Sequence, residues 1–397
     1  MTAGKPSLTL CMILCDEEQN LPLSLAPIRD LFDEVVVADT GSKDRTPDLA
    51  RSYGARVIET TWADDFSAAR NLSIRASSGD WLFWLDGDNR IQPGDVKTIR
   101  QHLDTTREKI LWCTEVNEPS GEQLIQKRVF PNRPEVYFSG RVHEQLIHPP
   151  HYKMIMTSVK IFHWGYADKS KAREKGRRNL RLLMDMAQKE PEDLYICYQI
   201  GKTLFNLRQF EEALTWADRA AGLRGQMHQN RGIYLHAHII KAKALERLGR
   251  FEEAEGCLKR LIEFHPEYGP GHFHLGRFLF ARSDFKKAAV SFRTFLKLGN
   301  SDPIIGVNRD HQTFMAALML GNCQEKMKNI EEAITAYRIA ARSNPGNPEP
   351  SLALARLFLS QNRPDLALNF ARQSLEISPG NRRGAEMLNQ LSGNGNA

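Results

Sequence analysis

The sequence predicts two domains of different class, an α/β sheet domain followed by an all-α array of repeated helix pairs. Three observations carry this prediction. Short apolar strands alternate with polar helical stretches through the first part of the chain, which implies a parallel, doubly wound sheet. Five apolar residues, Trp81-Leu82-Phe83-Trp84-Leu85, run directly into Asp86-Gly87-Asp88. They read as a buried strand that delivers two carboxylates to its carboxyl end, where open α/β sheets place their ligands. In the second half, one helical pattern recurs five times with a constant internal spacing.

The elements of the first half follow in order. Leu8 to Leu14 is a strand and Leu21 to Asp30 a helix. Glu34 to Ala38 is a strand, followed by a turn and a helix through about Tyr53. Arg56 to Ile58 is a short strand, Ser67 to Ser77 a helix and Trp81 to Leu85 a strand. From about Lys109 to Trp164 the pattern changes to shorter strands and loops, with Pro119, Pro131, Pro134, Pro149 and Pro150 interrupting. A mixed or antiparallel extension of the sheet is expected there.

The repeated pattern is a small residue followed 12 positions later by an alanine: Gly201 and Ala213, Ala242 and Ala254, Gly276 and Ala288, Gly321 and Ala333, Ala355 and Ala367. Successive alanines are 41, 34, 45 and 34 apart, so inserted loops are expected near Gly225 to Arg231 and Gly299 to Asp310. Pro266, Pro345 and Pro379 each follow a marked alanine by 12. This pattern resembles the tetratricopeptide repeat, a helix–turn–helix unit of 34 residues. The resemblance implies a superhelix with a concave groove that binds peptides or proteins or mediates dimerisation. The plainer alternative is an array that only supports the first domain.

Composition narrows the class. The 397 residues are 41% apolar and 26% charged, and the net charge of +6 is small for this length. Nothing in that balance indicates nucleic acid. One basic run, Lys169 to Arg181, suits either a polyanion or membrane surface, or a solvated helix face that also packs between domains. The six cysteines have neither Cys-x-x-Cys nor zinc spacing, as expected in a reducing compartment. No signal peptide and no membrane-spanning length is evident. A cytoplasmic protein with at most peripheral membrane contact is expected.

The chemistry concentrates at strand ends. Oxygen ligands such as Asp86 and Asp88 suit a hard cation, Mg²⁺ or Mn²⁺, that can bridge to phosphate. Gly87 would let a phosphate approach the backbone. In isolation, Asp-Gly-Asp is equally a solvated turn. Asp39, just after the second strand, opens a Gly41-Ser42 turn and can accept from a base N–H or a ribose hydroxyl. Asp44 and Thr46 read better as caps of the next helix. Arg70, in a helix opened by Asp64 and Asp65, can reach a diphosphate or pair with the acids.

Four motifs occur in order: Leu10 through Glu18, Asp39 through Thr46, Asp65 through Asn71, and Leu85 through Asp88. Together they resemble family 2 glycosyltransferases, and more narrowly the bacterial branch with C-terminal tetratricopeptide repeats. The resemblance implies an α/β GT-A fold, a nucleotide-sugar donor with a UDP-linked sugar expected, a divalent cation at the Asp-x-Asp, and inversion at the anomeric carbon. It matches Asp39 to the nucleoside-binding acid, Arg70 to a basic residue near the diphosphate, and Asp88 to the principal metal-binding acid. Cys11, Ile13, Glu17, Gly41, Asp44 and Asp86 join the expected donor-binding set. Two departures stand out: Asp16 where the family usually has Asn, and Asn89 where it commonly has a third acid.

Downstream, Gly140-Arg141-Val142-His143-Glu144-Gln145 and His163-Trp164-Gly165-Tyr166 look like motifs of the repeat-bearing branch. Glu144 is the expected general base, with His143 its competitor or a structural histidine. His163 is expected to complete the metal shell or touch the diphosphate. Trp164 and Tyr166 offer flat faces for a sugar or base, or core packing. Arg128 and Arg141 are expected to neutralise the leaving diphosphate. The expected layout is a transferase domain over 1–168, a basic helical linker over 169–190 and a repeat domain over 191–390. The expected acceptor is a protein or a glycan or lipid-linked precursor, with the repeats recruiting a protein partner or forming a homodimer. One rival is a nucleotidyltransferase, disfavoured because Asp16-Glu17-Glu18 stands where a Gly-rich basic loop would be needed. The other is a catalytically inactive scaffold.

Overall fold

A computed structural model describes residues 5–118, 121–164, 169–228, 230–299 and 309–393. The chain divides into two compact units, with the break after Tyr234.

The first unit is built on an eight-stranded sheet. Its strands are β1 (Leu8–Leu14), β2 (Glu34–Asp39), β3 (Arg56–Glu59), β4 (Trp81–Asp86), β5 (Asn89–Ile91), β6 (Lys109–Asn117), β7 (Glu122–Pro131) and β10 (Lys153–His163). A separate hairpin pairs β8 (Tyr137–Ser139) with β9 (Gln145–Ile147). The sheet order is β3-β2-β1-β4-β7-β6-β10-β5. The first four strands are mutually parallel, whereas β7 runs antiparallel to both β4 and β6. The doubly wound half and the mixed extension are thus both present. Register places Ile13 beside Ala38 and Asp86, and Leu14 beside Asp39. The carboxyl ends of β1, β2 and β4 therefore form one edge, at the point where strand order reverses.

Helices α1 (Leu21–Ser24), α2 (Thr46–Ser52), α3 (Phe66–Ala76) and α4 (Pro93–Gln101) connect the strands. The first is shorter than the sequence pattern suggests and is followed by a 3-10 turn at Arg29–Leu31. Pro27 lacks an N–H and disfavours helical backbone at Ala26, so the helix cannot run through. A long basic helix, α5 (Lys169–Lys189), and the first repeat pair, α6 (Leu194–Asn206) and α7 (Phe210–Gly222), belong to the same unit. Val142 shares a buried cluster with Leu182 and Leu183 of α5 and with Ile196, Ile200 and Leu204 of α6.

The remaining helices are α8 (Arg231–Arg247), α9 (Phe251–Phe264), α10 (Gly269–Ala281), α11 (Phe285–Leu298), α12 (Arg309–Lys326), α13 (Ile330–Ser343), α14 (Glu349–Ser360), α15 (Pro364–Ile377) and α16 (Arg382–Gly393). All five marked alanines are fully buried. The small residues sit where a larger one would collide: a Cβ on Gly276 would lie 2.8 Å from the Phe292 ring, and one on Gly321 2.4 Å from the Tyr337 ring. Each helix pair turns through a residue with left-handed backbone five positions before its alanine, namely Arg208, Gly249, Ser283, Lys328 and Asn362. The following N–H reaches back across the turn in every case, as Gln209 does to the Leu204 carbonyl at 3.0 Å, a Schellman closure. The loop expected over Gly299 to Asp310 lies largely outside the described residues. Among the described residues no helix is long and apolar enough to cross a membrane. Cys15 is exposed and the other five cysteines are buried, all as free thiols.

Candidate active site

The loops after β1 and β2 are stitched to each other before any ligand is considered. Ser42 Oγ accepts from the Asp16 N–H at 3.0 Å, and Asp16 Oδ1 accepts from the Lys43 N–H at 2.7 Å. Thr46 Oγ1 accepts from the Glu17 N–H at 2.8 Å, and Asp44 Oδ2 from the Glu18 N–H at 3.0 Å. Asp16 has left-handed backbone (φ 55°), which Asn and Asp both tolerate. The Asn-to-Asp departure is therefore neutral to this loop. Asp44 also accepts from the Thr46 N–H and hydroxyl, so its carboxylate closes the turn into α2. Asp39 is 2% exposed and accepts from the Gly41 N–H, the Ser42 N–H and the Ser42 hydroxyl. Gly41, at φ 104°, supplies backbone that other residues rarely adopt.

The two acids of the strand end have separate partners. Asp65 caps α3, its Oδ1 accepting from the Ala68 N–H at 2.9 Å, and Arg70 lies in the second turn of that helix. The Arg70 guanidinium donates through Nη2 to Asp86 Oδ1 at 3.0 Å and through Nε to Glu144 Oε1 at 2.6 Å. It also lies over the Trp84 ring, 3.9 Å from its centroid, and is 6% exposed. Burial opposes its charge, and the two carboxylates outweigh that cost and raise its pKa. Asp88 instead faces His163, with Oδ1 3.2 Å from Nδ1. Burial alone would raise the Asp88 carboxyl, but His163 and then Lys175 hold it below the usual range. Burial likewise opposes charge on His163, yet Asp88 raises it above an ordinary histidine.

Asn89 is fully buried and orders this region. Its Oδ1 accepts from the Asp86 N–H at 3.1 Å and from Arg128 Nη1 at 3.0 Å, and its Nδ2 lies 3.1 Å from His163 Nδ1. The missing third acid is thus a structural amide.

Several expected contacts take other roles. Arg128 is fully buried, paired with Glu115 and Asn89 and stacked 3.6 Å from the Trp84 centroid. It braces the sheet and is sealed from any diphosphate. Arg141 donates to the Asp64 carbonyl at 3.0 Å and pairs with Asp185 of α5, so it too is a brace. Cys11 is 2% exposed within an apolar cluster, and burial pushes its thiol up to about 12. It contributes packing, two residues below Ile13, which does lie beside Asp86. The space above Gly87 is filled by Glu17: a Cβ there would lie 2.6 Å from Glu17 Cγ. The glycine admits that side chain, whose carboxyl is raised by burial first and by the nearby Asp88 and Asp86.

His143 has left-handed backbone (φ 53°). Burial, reinforced by Lys202, lowers its imidazole to about 4, which leaves it a neutral and weak base. Trp164 is 43% exposed and Arg90 lies over its ring at 4.8 Å, so it is not core. Tyr166 lies outside the described residues.

Three contributors escape the sequence reading. Trp84 carries both arginines, although within Trp81–Leu85 nothing separates it from ordinary core. Lys175 of α5 acts electrostatically on both Glu17 and Asp88. Tyr195 of α6 donates to the His143 carbonyl at 3.0 Å. Within the basic run, Arg178 lies over Phe66, and Arg181, itself exposed, pairs with Asp64 at 2.8 Å.

Comparison with known proteins bears on both halves of the chain. The glycosyl transferase family 2 model matches residues 9–163. The N-terminal domain is a family 2 glycosyltransferase domain. Tetratricopeptide-repeat models match residues 194–226, 241–303 and 318–382. A TPR repeat-containing protein of Synechococcus elongatus is 30% identical over 273 residues, covering 66% of this chain and 65% of that protein. The SPbeta prophage-derived glycosyltransferase SunS of Bacillus subtilis is 26% identical over 225 residues, covering 54% of this chain and 53% of SunS. The chain thus spans between half and two thirds of these relatives. YrrB, a solved TPR protein with an unusual peptide-binding site, matches 51% of this chain and 96% of its own at 16% identity and a TM-score of 0.41.

Proposed function

We propose that this protein transfers a sugar from a nucleotide-sugar donor to an acceptor hydroxyl with inversion at the anomeric carbon, assisted by a divalent cation. The observation that carries this reading is the division of the strand-end acids, with Asp86 held by Arg70 and Glu144, and Asp88 facing His163.

The residues fit a cation. Neighbouring ligands of an octahedral ion at about 2.1 Å stand roughly 3 Å apart, and Asp88 and His163 are separated by 3.2 Å. Among the described residues no three His, Cys, Asp or Glu side chains converge. One carboxylate, completed by phosphate oxygens and water, is ordinary for Mg²⁺ or Mn²⁺, and of the two the more borderline Mn²⁺ better tolerates the imidazole. When bound by Asp88 and His163, the cation would neutralise charge developing on the departing nucleoside diphosphate.

The chain's own groups divide the remaining work. Asp39 accepts three hydrogen bonds, and a carboxylate has about four lone-pair sites. One is left for a base or ribose donor. Lys175 adds positive charge on the Glu17–Asp88 side. Glu144 takes the proton of the acceptor hydroxyl as that oxygen attacks the anomeric carbon, while the bond to the diphosphate breaks and its electrons leave with the phosphate oxygen. Arg70 keeps that carboxylate in line with Asp86. The acceptor is a protein or a glycan or lipid-linked precursor, and the repeats supply the surface that recruits it.

The test is nucleoside diphosphate release by the full chain with Mn²⁺ across UDP-, GDP- and dTDP-sugars, with and without acceptors. Release lost in Glu144→Gln supports the reading. Release unchanged in that variant removes Glu144 as base. Failure to bind or turn over any donor favours a scaffold instead.

A further inference from the structure

We propose that the first repeat hairpin is a working part of the transferase: Tyr195 is a positioning residue that fixes the loop carrying Glu144. This inference rests on the glycosyltransferase reading and adds to it a role for a helix that its sequence assigns to the repeats.

The phenol closes a triangle around the backbone of Glu144. Tyr195 Oη donates to the His143 carbonyl at 3.0 Å and accepts from Gln145 Nε2 at 2.7 Å, while Gln145 Nε2 also lies 3.1 Å from the same carbonyl. The residues before and after Glu144 are therefore held by one hydroxyl. His143 needs the restraint, because its φ of 53° is left-handed backbone, which a non-glycine residue adopts only at a cost.

The clamp itself is rigid. Asp193 caps α6 through Oδ1 to the Ile196 N–H at 2.7 Å, and Gln226 bridges the Leu194 N–H at 3.0 Å and the Glu192 carbonyl at 2.6 Å. Val142, the residue before His143, packs with Ile196, Ile200 and Leu204 of α6. The hairpin and the loop thus share one core. Burial above all holds the phenol protonated, so it anchors the loop and carries no proton.

Glu144 transmits the constraint. Its Oε1 receives Arg70 Nε at 2.6 Å, and Arg70 Nη2 reaches Asp86 at 3.0 Å. Stacking on Trp84 prevents the guanidinium from following a displaced Glu144. A shift of the loop therefore breaks a chain that ends at the strand-end acids, and small misplacements of catalytic groups cost rate far more than affinity.

The experiment uses Tyr195→Phe in the full chain, which keeps the ring and its packing. The expected result is a roughly tenfold fall in kcat with donor KM within about twofold, and an unshifted melting transition. Gln145→Ala should give a similar loss. The double variant should lose no more than either alone, since both break the same triangle. Amide exchange over residues 141–146 should quicken in Tyr195→Phe. Unchanged kcat, losses that multiply in the double variant, or unchanged exchange would overturn the inference. A wild-type chain that turns over no donor would count against the glycosyltransferase reading, and the exchange measurement still decides the role of Tyr195.

Discussion

The carboxyl edge of the sheet and the repeat array use their sequence motifs in opposite ways. In the array every motif position has the same physical duty in each copy. The marked alanine is buried, the small residue admits a neighbouring helix, and the turn adopts left-handed backbone. At the sheet edge, neighbouring motif residues diverge. Asp16 and Asp44 hold loops together, Asp86 anchors an arginine, and Asp88 faces an imidazole. Repetition makes a motif readable as packing, whereas a single-copy motif does not say which of its residues build and which react.

The largest effect expected from this contrast is at Arg70. Lysine keeps the charge but cannot span Glu144 and Asp86 with a planar fork, so Arg70→Lys should lower kcat by about 10²-fold and also lower the melting transition, because a largely buried carboxylate loses its partner. Steady-state kinetics beside a thermal melt checks this. A variant that lost stability and not rate would place Arg70 among the builders.

A pH effect follows at His143. Its folded pKa of about 4 lies below the ordinary 6.5, so the unfolded chain takes the proton first. Stability is therefore full above about 6.5, falls as pH drops toward about 4 and then levels, with a loss of at most about 3 kcal/mol. Urea denaturation across that range should show the slope, and His143→Gln should flatten it.

In the array, Gly321→Ala should cost about 1–3 kcal/mol by overpacking. The Tyr337 ring it would strike is tethered, its hydroxyl 2.6 Å from Glu325 and 2.8 Å from Asn322. Turnover per folded molecule should stay unchanged, which separates packing motifs from reactive ones. The smallest effect is a gain: Arg208→Gly relieves a left-handed residue and should stabilise by up to about 1 kcal/mol, measured by the same denaturation.

Much of the fold is legible in the sequence because its signals are local. The strands β1 to β4 read from apolar runs, and the repeats from a fixed spacing of small residues. Proline accounts for one misreading and one omission. Pro27 cuts short a helix that periodicity alone would extend. Pro93 sits at the start of α4, where its missing N–H costs nothing, so Pro-Gly there opens a helix that the strand–helix pattern does not reveal. The three residues of β5 are too few to show any alternation.

The site is less legible because its contacts are distant in the chain. Arg70 and Glu144 are 74 residues apart, as are Asn89 and His163. Arg128 looks like a diphosphate ligand until Glu115, Asn89 and Trp84 enclose it. Lys175 looks like part of a solvated basic face until α5 is packed.

The division between Asp86 and Asp88 is tested most directly by calorimetric titration of the selected nucleoside diphosphate, with and without Mn²⁺. The proteins to compare are the wild type, Asp86→Asn and Asp88→Asn. Asp88→Asn should abolish the Mn²⁺-dependent part of the affinity. Asp86→Asn should retain it while turnover falls. Metal-dependent binding that survives in Asp88→Asn, or disappears equally in both variants, would contradict the assignment of the cation to Asp88 and His163.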